Sequence, residues 1–140
     1  MRAEFGNISK IPGGFWQWPH FSPRELMDKT SGAIIVETDF LDRLERARAQ
    51  YGRPMIINSG YRTPEHNAAV SPTGEDGPHT TGRAVDVRVY GAYALELLRH
   101  ALDVGFTGIG VKQVGDFASR FIHLDDLEAP DYPRPTIWTY

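Results

Sequence analysis

The chain has 140 residues, the size of one domain, and its 41% hydrophobic and 24% charged residues are typical of a globular protein. With a formal net charge of −3 and no cluster of Lys or Arg, it is not expected to bind nucleic acid, and no apolar window is long enough for membrane insertion. It has no cysteine, which excludes disulfides and thiolate metal sites, so any metal must be held by histidines and carboxylates.

The beginning of the chain predicts an aromatic segment followed by a short helix. Four aromatic residues lie close together here: Phe15, Trp16, Trp18 and Phe21. We expect them to pack on the domain, although aromatic side chains also line carbohydrate and peptide grooves. Ser22 and Glu25 fit a capping box with Pro23 at the first helical position, which predicts a helix that ends at about Met27. Residues 1–20 lack the apolar core and cleavage site of a secretory signal, so we expect synthesis in the cytoplasm without a signal peptide.

Two longer helices follow from the spacing of apolar residues. One begins at Thr38 and stops at Gly52, and the other follows Gly91 and ends at Gly105. The second helix is expected to bury one face, made of Ala94, Leu97, Leu98, Ala101 and Leu102.

Short strands and one brief helix complete the predicted elements. The strands are expected at residues 55–58, 84–90, 108–112 and 120–125, the helix at about 64–69, and a loop at 71–82. Helices and mostly adjacent strands without regular βαβ alternation predict the α+β class. We therefore expect a small single domain with a short antiparallel sheet flanked by helices.

Strand alternation separates polar from apolar side chains in two of these strands. In strand 84–90 the valines share one face, and Asp86 lies on the other. In strand 120–125, His123 and Asp125 share the face opposite Ile122. Each strand therefore offers polar side chains on one face.

If these two faces coincide, His79 in the preceding loop, Asp86 and His123 could meet at one point. Two imidazoles and one carboxylate are a donor set typical of catalytic zinc sites. The alternative is a polar network without metal, in which Asp86 pairs with Arg83 or Arg88.

Three segments, SGYRTPEHN, PHTTGRAVDV and FIHLDD, carry a resemblance that spans about residues 21 to 138. They resemble the zinc D-Ala-D-Ala carboxypeptidase family of peptidoglycan peptidases. That family includes phage endolysins that cut the L-Ala-D-Glu bond, and it shares its metal site with the hedgehog signalling domain. The resemblance implies a Zn²⁺ ion bound by His79, Asp86 and His123. It also implies a zinc peptidase domain over residues 21–140, with residues 1–20 as the aromatic segment packed on it.

The arginine of the SGYR segment is Arg62. The resemblance implies that it binds a carboxylate or the backbone of the peptide substrate, and a guanidinium fork suits a carboxylate. The alternative is a structural role, in which Arg62 caps a turn or pairs with Glu65.

The sequence departs from the family pattern at the proton acceptor. Many members have Glu or Asp three residues before the last zinc histidine, and this chain has Arg120 there. We predict Asp125 as the acceptor because it shares a strand face with His123. The alternatives are that Asp125 orients an imidazole, or that Asp126 or Asp76 accepts the proton.

The resemblance implies a hydrolase, a zinc metallopeptidase that cuts an amide bond in peptidoglycan stem peptides. It would be a D-Ala-D-Ala carboxypeptidase or an L-Ala-D-Glu endopeptidase, and we expect a monomer. The missing secretory signal favours a phage or prophage enzyme that lyses the cell wall after release, or one carried by the virion. The alternative, kept open by Arg120, is a zinc-stabilised, non-catalytic binding or phage structural module.

Overall fold

The computed structural model describes residues 1–140 and confirms the α+β class. The strands are β1 (Arg2–Phe5), β2 (Ile34–Glu37), β3 (Ile56–Ser59), β4 (Ala84–Arg88), β5 (Gly108–Lys112), β6 (Phe121–Asp125) and β7 (Thr136–Thr139). The helices are α1 (Pro23–Leu26), α2 (Thr38–Tyr51), α3 (Pro64–Val70) and α4 (Gly91–Asp103). None of these helices combines the length and the apolar character needed to cross a bilayer.

The main sheet has five strands in the order β3-β4-β6-β5-β7. Its pairs are antiparallel except that β7 runs parallel to β5. The sheet is therefore mixed, whereas the sequence predicted an antiparallel sheet. A separate antiparallel pair is formed by β1 and β2. Sequence patterning missed β1, β2 and β7, which have four residues each.

One face of the main sheet packs on helices α2 and α4. Val85 and Ile122 from the sheet and Leu44 and Leu97 from the helices are almost completely buried in this core. Leu102 was expected to be buried as well, but it is 56% exposed because it lies just beside the stripe of α4 that faces the core.

The aromatic N-terminal segment is integrated with the same core. Trp18 and Phe21 belong to it, and Phe15 and Trp16 pack against it. The short helix α1 begins as expected, since the Ser22 backbone N–H donates to the Glu25 carboxylate at 2.7 Å. The opposite face of the sheet is left free for polar side chains.

Candidate metal centre

The three predicted ligands come together on the free face of the main sheet. Asp86 of β4 lies directly opposite His123 of β6, and His79 lies on a single 3₁₀ turn just before β4. One ligand atom from each residue lies within 4.8 Å of the others. His79 Nε2 is 3.3 Å and His123 Nδ1 is 3.1 Å from Asp86 Oδ1. All three side chains are buried, so the donor atoms converge in a shielded position.

The outer nitrogen of each imidazole has a partner that can only accept a hydrogen bond. His79 Nδ1 lies 2.7 Å from the Gly60 carbonyl oxygen, and His123 Nε2 lies 2.7 Å from Asp125 Oδ2. These nitrogens therefore carry the hydrogen in the neutral imidazole, which leaves a lone pair on each of the two nitrogens that face Asp86. Such outer contacts are typical of histidines that bind a metal.

The electrostatics of the cluster are those of an anionic site that favours a cation. Burial alone would raise the pKa of Asp86, but the adjacent His79 and His123 imidazoles outweigh burial and hold it below its usual range. Burial alone would lower the pKa of His123, but hydrogen bonds to Asp125 and Asp86 raise it. Each carboxylate thus stays ionised beside an imidazole, and the group as a whole stabilises positive charge between its members.

A glycine fixes the position of His79. A side chain on Gly60 would place its Cβ 2.7 Å from the Leu26 carbonyl oxygen and 2.8 Å from the Leu26 Cα, which is a steric clash. The Tyr61 backbone N–H donates to the same Leu26 oxygen at 2.9 Å. The glycine of the SGYR segment therefore allows the chain after β3 to approach α1 closely and present its carbonyl to His79.

Asp125 lies behind His123, outside the cavity that the metal ligands face. Its side chain is fully buried, and Arg134 donates from Nε to Oδ1 and from Nη2 to Oδ2, both at 2.8 Å. Burial alone would raise the pKa of Asp125, but hydrogen bonds from Arg134 and His123 outweigh it and hold the pKa at about 2. This geometry corresponds to the alternative in which Asp125 orients an imidazole, and it leaves no free lone pair facing the cavity.

Arg62 lies at the edge of the cluster. Its Nε donates to Ser59 Oγ at 3.1 Å and its Nη1 to Asn67 Oδ1 at 3.0 Å, while Nη2 is 3.7 Å from Asp86 Oδ2. It makes no ion pair with Glu65. Asn67, which was given no role from the sequence, is buried and holds the guanidinium beside the three candidate ligands.

The other acids considered from the sequence fall in different places. Asp126 is buried and accepts from Arg43 at 2.6 Å and from Arg83 at 2.8 Å, so it is fully engaged elsewhere. The alternative pairing of Asp86 with Arg83 is therefore absent, since Arg83 is held by Asp126 and Asp39. Asp76 is exposed and lines the same cavity as the metal ligands.

A cavity of about 660 Å³ opens above the cluster. Trp138 lines it and packs on His123 with ring centroids 4.9 Å apart. Tyr132, Arg134 and Tyr140 also line it. Sequence reasoning missed these three residues, because Tyr132 and Arg134 lie in a proline-rich stretch without periodicity and Tyr140 follows the strand β7, which was not predicted.

Comparison with known proteins agrees with this geometry. The chain has no significant match among curated proteins or among solved structures. A family model described as Peptidase M15 matches residues 19–125, which is more than half of the chain and includes all three predicted metal ligands. The chain therefore belongs to the peptidase M15 family of zinc peptidases, of the D-Ala-D-Ala carboxypeptidase type.

Proposed function

We propose that this protein is a zinc metallopeptidase that hydrolyses an amide bond in peptidoglycan stem peptides. It acts either as a D-Ala-D-Ala carboxypeptidase or as an L-Ala-D-Glu endopeptidase, in cell-wall lysis by a phage or prophage. The observation that carries this proposal is the convergence of two imidazoles and one carboxylate, with the outer nitrogen of both imidazoles held by an acceptor. The M15 match supports the reaction class and the polymer.

The donor set suits zinc. His79 Nε2, His123 Nδ1 and Asp86 Oδ1 would hold the ion, and a catalytic zinc with three protein ligands would keep its fourth position for water or substrate. Bound zinc supplies Lewis acidity, which lowers the pKa of water to about 7 and polarises a carbonyl.

The residues around the ligands bind the substrate, orient a ligand and accept a proton. Arg62, held by Asn67 and lining the cavity, binds a carboxylate or backbone carbonyl of the stem peptide. Asp125 orients His123 and is itself fixed by Arg134. Only two residues that line the cavity carry carboxylates, namely Asp86 and Asp76. Because Asp86 is assigned to the metal, Asp76 is the residue that accepts the proton from the attacking water.

The experiment that tests the proposal combines elemental analysis of the purified protein with mass spectrometry of digested peptidoglycan. We expect one zinc per chain and a product with a new terminus. Release of a terminal alanine identifies the carboxypeptidase, and a new amino terminus on glutamate identifies the endopeptidase. A His79→Gln variant should lose both zinc and product, while His20→Gln, a histidine at the surface paired with Glu45, should keep both.

The assignment of the proton acceptor is tested with one variant and a matched control variant. Asp76→Asn should lower kcat about a hundredfold or more without loss of zinc. Glu75→Gln changes the neighbouring exposed acid, which does not line the cavity, and should leave kcat unchanged. An Asp76→Asn enzyme with wild-type kcat would remove Asp76 from the mechanism.

The second candidate is a zinc-stabilised binding or phage structural module without catalysis. Arg120, at the position where many members have an acid, supports it. The Arg120 guanidinium lies 4.8 Å from the Phe117 ring centroid and donates to the Gly115 carbonyl oxygen, so it points away from the metal cavity. Stoichiometric zinc with no product from any peptidoglycan preparation would favour this second function.

A further inference from the structure

A second cavity, of about 740 Å³, lies on this protein and has no part in the proposed chemistry. Residues 88–93, at the junction of β4 and α4, line one side, and the 3₁₀ turn that begins at Phe117 lines another. Its aromatic residues Tyr90, Tyr93 and Phe117 are 48%, 52% and 58% exposed, which is high for such large side chains. We call this cavity the aromatic cleft.

The aromatic cleft is adjacent to the metal cavity. Arg88 lines the cleft and Phe121 lines the metal cavity, and these two residues are direct partners across β4 and β6. Cross-strand partners have Cβ atoms about 5 Å apart. The Arg88–Phe121 pair lies two residues, or about 7 Å, along the strands from the Asp86–His123 pair and faces the same side of the sheet. One substrate molecule can therefore occupy both cavities.

The chemistry of the cleft fits a sugar ring. Tyr90 stacks on Phe117 with centroids 4.5 Å apart and planes 14° apart, and the Arg53 guanidinium lies 4.2 Å from the Tyr93 ring centroid. The rings are thus held in fixed orientations beside guanidinium donors. The C–H faces of a pyranose pack on aromatic rings, while its hydroxyl and N-acetyl oxygens accept hydrogen bonds from such donors. Arg53 already pairs with Glu96 at 3.7 Å, so Arg88 is the guanidinium that a purely apolar protein partner would leave without an acceptor.

We propose that the aromatic cleft binds a sugar ring of the peptidoglycan glycan strand whose stem peptide lies at the metal centre. This inference rests on the proposed function, because peptidoglycan is the polymer that joins a sugar directly to the peptide to be cut.

The first test measures sugar binding without hydrolysis. The probe is a peptide-free tetrasaccharide of alternating N-acetylglucosamine and N-acetylmuramic acid, titrated into the full chain by NMR or calorimetry. Wild type and His79→Gln should bind it equally, since His79 lies outside the cleft. Tyr93→Ala should weaken binding about tenfold and Tyr93→Trp should restore it. Leu95→Ala changes a residue on the same helix that is 70% exposed and lines neither cavity, and should have no effect.

The second test compares kcat/KM on a stem peptide joined to its disaccharide with kcat/KM on the free peptide. Tyr93→Ala should lower the first about tenfold and leave the second unchanged. Equal effects on both substrates, or no binding of the tetrasaccharide by wild type, would overturn the inference. Tetrasaccharide binding that depends on Tyr93, with neither substrate cut, would keep the glycan site and reject the peptidase.

Discussion

Replacement of Asp125 by asparagine distinguishes two roles for this residue. Loss of an orienting carboxylate lowers stability and zinc affinity, whereas loss of a proton acceptor lowers turnover alone. Asn has nearly the shape of Asp but cannot carry the negative charge. In Asp125→Asn the buried Arg134, whose side chain is 6% exposed, loses its ionic partner, and His123 loses a charged acceptor. We expect lower stability and weaker zinc binding together.

The magnitude follows from the structure. The hydrogen bonds to Asp125 hold its pKa at about 2, against an ordinary value of 3.8, which corresponds to about 2 kcal/mol of folding free energy at neutral pH. Because the folded-state pKa is depressed, this stability is complete above about pH 4 and is lost as the pH falls through about 2. Removing one partner of a buried ion pair costs about 3–5 kcal/mol. We therefore expect Asp125→Asn to lose about 2–4 kcal/mol, and zinc affinity to fall about 10- to 100-fold.

The assay is urea unfolding of the metal-free protein, combined with a chelator competition for zinc and with hydrolysis at saturating zinc. Asp131→Asn, at an exposed position, is the matched control and should change none of the three. In a double-mutant cycle with Arg134→Gln, the two losses of stability should be strongly non-additive, because each breaks the same ion pair. An Asp125→Asn variant with wild-type stability and zinc affinity but no turnover would refute the orienting role and make Asp125 the proton acceptor.

Three further outcomes are expected. Gly60→Ala should destabilise the protein by about 1–3 kcal/mol in urea unfolding, because its Cβ would clash with the backbone at the end of α1, whereas Gly13→Ala, where the Cβ meets open space, should not. Burial alone would raise the pKa of Asp28, but hydrogen bonds led by that of Thr30 hold it well below its usual range. The stability from Asp28 is thus full above about pH 4 and lost at lower pH, so Asp28→Asn should flatten the acid limb of a stability-pH curve, and an unchanged limb would contradict this. Zinc should raise the melting temperature of wild type and a chelator should reverse the rise, but neither should move that of His79→Gln; a wild-type melting temperature insensitive to zinc would count against the metal site.

The elements that sequence patterning predicted well are those with strong local signals. Helix α2 has an apolar stripe and a glycine stop, and its predicted start at Thr38 agrees with the structure. The alternation in β4 and β6 placed Asp86 and His123 on the free face of the sheet. Strand β7 was missed because it is stabilised by pairing with β5, which lies far away in the sequence.

The convergence of the three candidate ligands was predictable for the same reason, and its surroundings were not. His79, Asp86 and His123 follow from one strand pair and the turn that enters it, so a local argument sufficed. The partners that fix them come from distant parts of the chain, since the Gly60 carbonyl lies after β3 and Arg134 lies in the return from β6 to β7. No periodicity links those positions to the cluster.

Asp86 and Asp125 illustrate how partners rather than residue type decide a role. Both are buried aspartates on the same face of neighbouring strands, and both lie next to His123. Asp86 faces one ring nitrogen each of His79 and His123, and its one nearby guanidinium, that of Arg62, is 3.7 Å away, so its oxygens remain available to a cation. Asp125 receives both arms of the Arg134 fork at 2.8 Å and is thereby neutralised. Because Arg134 neutralises Asp125, this carboxylate can orient His123 but cannot bind a metal, whereas Asp86 can.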